Sequence, residues 1–169
     1  MRRNIGLGIL FLGVLVALAI STLQPLFHRS VANSGGLAPP WELKDLDGEV
    51  VRSSAFQGKV VILDFWATWC PPCKAEIPGF IQLQKDYGQR GLVIVGVSLD
   101  EKGPSIVREF AAKFGINYTV LMGNLELFRE YGGSAIPTTV VINRQGNIVA
   151  KHVGFASKEV FEKEILPLL

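Results

Sequence analysis

Val60-Val61-Ile62-Leu63-Asp64-Phe65-Trp66-Ala67-Thr68-Trp69-Cys70-Pro71-Pro72-Cys73 is the stretch that decides the fold. Its first half, Val60 to Trp66, is short, β-branched and aromatic and follows a Gly58-Lys59 break, so it reads as a buried strand. Beyond the cysteines, Ile77, Phe80, Ile81 and Leu83 recur at helical spacing. A strand that stops at a Cys-x-x-Cys opening a helix puts the first sulfur at the helix N-terminus. A thiolate there meets free backbone donors and the positive end of the dipole. The second sulfur, three residues on, is close enough to close a disulfide. The arrangement is that of a thiol–disulfide exchange site.

Working outward, 169 residues make one domain plus an appendage. The globular part, from about Leu37 onward, is long enough to bury a core without further disulfides or a metal. Both cysteines of the chain lie in the motif, which excludes a disulfide scaffold. They are too few for a zinc site, the remaining candidate ligands being only His28 and His152. No metal is expected, and both histidines are expected on the surface without a chemical role. The net charge of +2 says little about nucleic acid, but the sequence carries no basic stripe or RNA-binding signature, and no nucleic-acid partner is expected.

At the other end of the chain, Arg2-Arg3 precedes an uncharged apolar run from Ile5 to Leu23. Its length is near the ~20 residues of a spanning helix. The charge before it favours a cytoplasmic N-terminus and an exported remainder. Residues 1–28 are therefore expected to form a single-pass membrane anchor. The competing reading is a signal peptide cut after Ala17-Leu18-Ala19, but apolar residues continue past that point. Residues 29–38, with Ser34-Gly35-Gly36, have linker chemistry, and 39–169 form the expected domain.

Within that domain, Trp41 to Leu46 alternates and Asp47-Gly48 turns the chain into Glu49 to Arg52, a hairpin with a type I′ signal. Leu92 to Ser98 reads as a second buried strand. Strand–helix–strand order implies that it runs parallel to the first. A helix is expected from Gly103-Pro104 to Phe114, a short strand over 118–121 and a short helix over 125–131. A second hairpin joins 138–143 to 148–153, and Ser157 caps a final helix through Leu166. The class is α/β, a mixed sheet with helices on both faces.

Asp64 to Lys74 resembles the active-site block of the thioredoxin superfamily. The pattern Trp-Cys-x-x-Cys-Lys-x-Glu, complete here through Glu76, and the later Ile136-Pro137-Thr138-Thr139 resemble the membrane-anchored TlpA/ResA-like reductases. The resemblance covers roughly Pro39 to the C-terminus and implies a thioredoxin fold with an N-terminal β-hairpin and a central insertion.

Helix-start geometry makes Cys70 the attacking nucleophile and Cys73 the inward, resolving thiol. Pro71 and Pro72 lack N–H groups, so Cys73 N–H is the nearest donor left for the Cys70 sulfur. Asp64 is a carboxylate inside an apolar strand, an expensive placement; the resemblance implies a general acid/base for the resolving cysteine. Glu76 is one turn beyond Cys73 and on its face; the resemblance implies a second active-site carboxylate. Both charges, if ionised, oppose thiolate formation. Pro137 resembles the superfamily's cis-proline, which leaves the Ile136 backbone to pair with an extended substrate. Trp69, Pro71, Pro72, Ile136 and Pro137 are the expected substrate-binding surface; Trp66 is expected in the core, and Pro78 to kink the active-site helix.

No cofactor is expected beyond the redox-active Cys70–Cys73 disulfide. Poor thiolate stabilisation favours a reductant over an oxidant. The resemblance implies disulfide-bearing client proteins, such as apocytochrome c or copper-assembly proteins. It also implies a thiol-transporting membrane electron donor and a place on the outer side of the bacterial inner membrane. A peroxiredoxin-type peroxidase would need Thr or Ser where Ala67 stands. A copper carrier would want CxxxC and a well-placed His.

Overall fold

The computed structural model describes residues 35–169; the expected anchor and most of the expected linker lie outside them. Among the described residues, seven strands form one sheet, β1 (Glu42–Asp45), β2 (Val50–Arg52), β3 (Val60–Trp66), β4 (Leu92–Ser98), β5 (Thr119–Met122), β6 (Thr138–Ile142) and β7 (Ile148–Val153). Their order across the sheet is β2-β1-β5-β4-β3-β6-β7. β3 pairs parallel to β4 and antiparallel to β6, so the apolar run quoted above is central, and all seven residues are buried. Such double-sided burial is why it reads as continuous Val, Ile, Leu and Phe rather than as an alternation.

The helices α1 (Pro71–Tyr87), α2 (Pro104–Phe114), α3 (Leu125–Glu130) and α4 (Lys158–Ile165) cover the sheet. The period of two along β3 sorts the core. Val61, Leu63 and Phe65 pack with Trp41, Leu43 and the α3 residues Leu127 and Phe128. Val60 and Ile62 pack with Phe80 and Leu83 of α1 and Phe161 and Ile165 of α4. Trp66, on that second face, joins Cys73, Ile77 and the α2 residue Val107. Helices thus lie on both faces, as expected. Pro78 sits inside α1, which continues through it to Tyr87.

Three local expectations are corrected. The β1–β2 turn is not type I′, which needs positive φ at both central residues. Here Gly48 alone is left-handed, at φ +90°, and among the described residues none other than glycine has positive φ. Asp45 Oδ1 accepts the N–H groups of Asp47 (2.8 Å) and Glu49 (2.9 Å), holding a longer loop in which Asp47 keeps negative φ. The β6–β7 turn repeats the device with Asn143 Oδ1, Gln145 N–H, Asn147 N–H and Gly146. Ser157 stands at the α4 N-cap without a side-chain capping bond. His152 is half-buried, not superficial, and its Nε2 lies 3.0 Å from Glu164 Oε1.

Two ties mark the end of the sheet where β3 begins. The Arg144 guanidinium donates to the carbonyls of Gly58, Arg90, Leu168 and Leu169, gathering the starts of β3 and β4 and the C-terminus. Residues just ahead of the domain join there too. Leu37 bridges to Asn147, Ala38 N–H donates to Gly146 O (2.8 Å) and Ile148 N–H to Gly36 O (3.2 Å). Among the described residues, backbone pairing of the folded unit thus starts at Gly36.

Candidate active site

At the opposite end of β3 the chain turns through Ala67–Cys70, closed by Cys70 N–H to Ala67 O at 3.2 Å, and enters α1. Cys70 is the N-cap, extended at φ −89°, ψ 109°, followed by the two prolines at the first helical positions where a missing N–H is harmless. Cys70 and Cys73 are joined in a disulfide, S–S 2.06 Å. Cys73 N–H donates to Cys70 Sγ at 3.3 Å, the bond left available once Pro71 and Pro72 remove the others. Cys73 is fully buried and Cys70 is 3% exposed, whereas Trp69, Pro71 and Pro72 face solvent.

The Ile136–Pro137 peptide is cis. Ile136 O lies 3.8 Å from Cys70 Sγ; a disulfide sulfur carries no proton, so this is a contact and not a hydrogen bond. Pro137 is buried, and its carbonyl accepts Gly154 N–H at 2.8 Å. The Gly154–Ala156 loop therefore flanks the Ile136–Pro137 segment, and carries Phe155 outward at 55% exposure.

Beneath this surface lie two carboxyl groups. Asp64 is paired in register with Thr139 on β6 and Gly96 on β4, and Thr139 Oγ1 donates to Asp64 Oδ1 at 3.0 Å. Gly96 is needed there because a Cβ would stand 3.0 Å from Trp66 Nε1 and 3.2 Å from the Tyr118 ring. Glu76, 3% exposed, is no solvated helix charge: Oε1 accepts Ala156 N–H at 2.7 Å, and Oε2 is buried without a partner among the described residues. Burial pushes the Asp64 carboxyl up to about 7, partly opposed by the Thr139 bond. Burial, then the nearby Asp64 charge, pushes Glu76 up to about 8, against the Ala156 bond. Tyr118, packed in the same cluster as Cys73, is raised by burial and then by both carboxylates.

Two standing negative charges are therefore not what neutral pH finds in the oxidised domain. The pair holds a proton, because a buried carboxylate without a cation prefers neutrality. Both folded values lie above the unfolded ones near ~4. Stability is thus fully present below pH ~4, falls as pH climbs towards 7 and 8, and levels off beyond. Each group loses about 1.4 kcal/mol for every pH unit that separates its unfolded and folded values. Thermal melting of the oxidised domain should accordingly drop between pH 5.5 and 9, and Glu76→Gln should flatten much of that slope. An equal slope in the variant would contradict the assignment.

Sequence reasoning missed Thr68, Ser98 and Asp100. Asp100 Oδ2 accepts Thr68 N–H (2.8 Å) and Ser98 Oγ (2.8 Å), and Oδ1 accepts Thr68 Oγ1 (2.6 Å). The available signal was polar residues at the carboxyl ends of parallel strands, where sites in α/β sheets gather. Trp69, Leu99, Asp100 and Ile106 also wall an open cleft of about 370 Å³ beside the cysteine turn.

A family model described as the AhpC/TSA family matches residues 34–151. The chain belongs to that family. Within it, the chain is 32% identical to a protein named thiol-disulfide oxidoreductase ResA from Halalkalibacterium halodurans, over 96% of this chain and 93% of the relative. It is 35% identical to the thioredoxin-like protein YneN of Bacillus subtilis, over 78% of each. The crystal structure of a thiol:disulfide interchange protein of the thioredoxin family from Chlorobium tepidum superposes with TM-score 0.72 at 36% identity. That match covers 79% of this chain and 96% of the other. The described domain has a thioredoxin fold, and the protein is a thiol–disulfide oxidoreductase of the ResA type with Cys70–Cys73 as its disulfide.

Proposed function

We propose that this oxidoreductase works as a reductase of client protein disulfides, held at the outer face of a bacterial inner membrane by residues 1–28. The observation that carries the direction is the poverty of thiolate stabilisation at Cys70. One N–H at 3.3 Å supports the sulfur, two prolines withhold others, and the core behind it is anionic when deprotonated. An oxidant needs the reverse, a reduced form held strongly as thiolate. Apocytochrome c before haem attachment and copper-assembly proteins are the clients proposed. A thiol-transporting membrane protein is the proposed donor, since an oxidising compartment supplies no electrons.

The test is a redox titration. The couple should lie nearer the ~−270 mV of a reducing thioredoxin than the ~−120 mV of a strong oxidant, and a value near the latter would reverse the direction. Glu76→Gln removes a group that competes with the thiols for charge, so its couple should be more positive. The shift should be small at pH 6, where Glu76 is neutral, and grow towards pH 9. It is bounded at ~30 mV for each pKa unit lost by one thiol. The topology has a separate check: alkaline phosphatase fused after Leu169 should be active in cells, and an inactive fusion would place the domain in the cytoplasm.

A further inference from the structure

The turn that delivers Cys70 is held by a cluster the exchange chemistry above does not use. Asp100, two residues past β4 and 8% exposed, receives three hydrogen bonds, two of them from Thr68 and one from Ser98, and donates its own N–H back to Ser98 Oγ at 3.1 Å. Thr68, also buried, is thereby tied to the end of β4 through both backbone and side chain. The neighbouring Leu99 N–H donates to Trp66 O at 2.8 Å, so the ends of β3 and β4 are locked together just ahead of the turn.

We propose that Asp100, with Thr68 and Ser98, is a positioning latch for the exchange reaction, fixing the Ala67–Cys70 turn so that Cys70 Sγ stands over Cys73 N–H. It rests on the exchange reading of Cys70. Cys70 is an N-cap with extended backbone, so helix α1 does not set the direction of its side chain. The residues before it do, and among them Thr68 is the one bonded outside the turn through its side chain. A sulfur served by a single donor is sensitive to that direction, because hydrogen bonds weaken steeply with misalignment.

Asp100→Asn and Asp100→Ala both remove the carboxylate charge. Only Asn keeps an oxygen for Thr68 N–H and an amide able to donate to Thr68 Oγ1, so the difference between them reports geometry alone. Asp64 and Glu76 are common to both. The measurement is the pH profile of iodoacetamide alkylation of Cys70 in the full chain carrying Cys73→Ser. The midpoint in Asp100→Ala should lie above that in Asp100→Asn by about half a unit or more, roughly threefold in thiolate fraction. Thr68→Val, which keeps the carboxylate and the backbone bond, should move the midpoint upward from wild type. It carries the test if Asp100→Ala does not fold.

Coincident Asp100→Asn and Asp100→Ala profiles, or a Thr68→Val profile on that of wild type, would overturn the latch. A role in stability alone lowers melting of Asp100→Ala and leaves the two profiles together. Alkylation needs neither client nor resolving sulfur, so a failure of the exchange reading would show in disulfide-reduction assays and leave this comparison unchanged.

Discussion

Cys73→Ser should convert the protein from a catalyst into a trap. In the proposed reduction of a client, the Cys70 thiolate attacks one client sulfur, forming a mixed disulfide and releasing the other client sulfur as thiolate. Cys73 then attacks Cys70, closing the disulfide at 2.06 Å and expelling the second client thiolate, so two electrons pass to the client. Without the Cys73 sulfur the second step has no nucleophile, and the covalent complex persists. Cys70→Ser should abolish both turnover and trapping, since Cys73 lies inside the helix with no exposure, behind the N-cap position that Cys70 holds. Non-reducing gels of membrane fractions from cells making each variant check this, and the trapped species identify the clients. Complexes formed by Cys70→Ser and not by Cys73→Ser would exchange the two roles.

Asp64→Asn should show the next largest effect, on the second step alone. The Cys73 thiol must lose a proton inside the core, where it packs in one cluster with Tyr118, whose own titration feels Asp64 and Glu76. A carboxyl pushed up to about 7 suits a proton acceptor there, being ionised often enough to take a proton and basic enough to hold it. Asn keeps the shape and can accept from Thr139 Oγ1, but takes no proton from a thiol. Resolution of the mixed disulfide should slow ~10²-fold or more, the lower range of general-base effects. The complex should build up as it does in Cys73→Ser, while the first attack by Cys70 keeps its rate. In wild type the resolution rate should rise through pH 7 to 8; because Asp64, Glu76 and the thiol titrate together, the midpoint belongs to the group. Stopped-flow measurement of client release decides it. A rate within twofold of wild type would pass the base role to Glu76 or to solvent.

The motif at the end of β3 was legible because everything it needs is local. The apolar run, the strand-to-helix switch, the N-cap cysteine and the missing proline donors are set within fourteen residues. Glu76 shows where locality stops. Its spacing put it on the Cys73 face, yet whether that face met water or protein depended on Ala156, eighty residues on. Its charge depended on that burial, which pushes the carboxyl up to about 8 against the pull of the Ala156 bond. Asp100 was silent for the same reason, its partner Thr68 standing thirty-two residues back. The hairpin turn failed on a subtler point. Asp47-Gly48 carries the type I′ signal, but the Asp45 side chain satisfies the loop's N–H groups and spares Asp47 a left-handed backbone.

The pairing of Gly36–Ala38 with the β6–β7 turn fixes the place where the rest of the polypeptide arrives. Ile142, which leads into that turn, lies opposite Val61 at the start of β3, whereas Cys70 follows Trp66 at its far end, about 17 Å along the strand. The chain therefore enters the domain from the rear. The front, with Trp69, Ile136 and Phe155, lies at the other end of β3. A client docking against Trp69 and Phe155 would therefore meet the disulfide at the end of the domain away from Gly36.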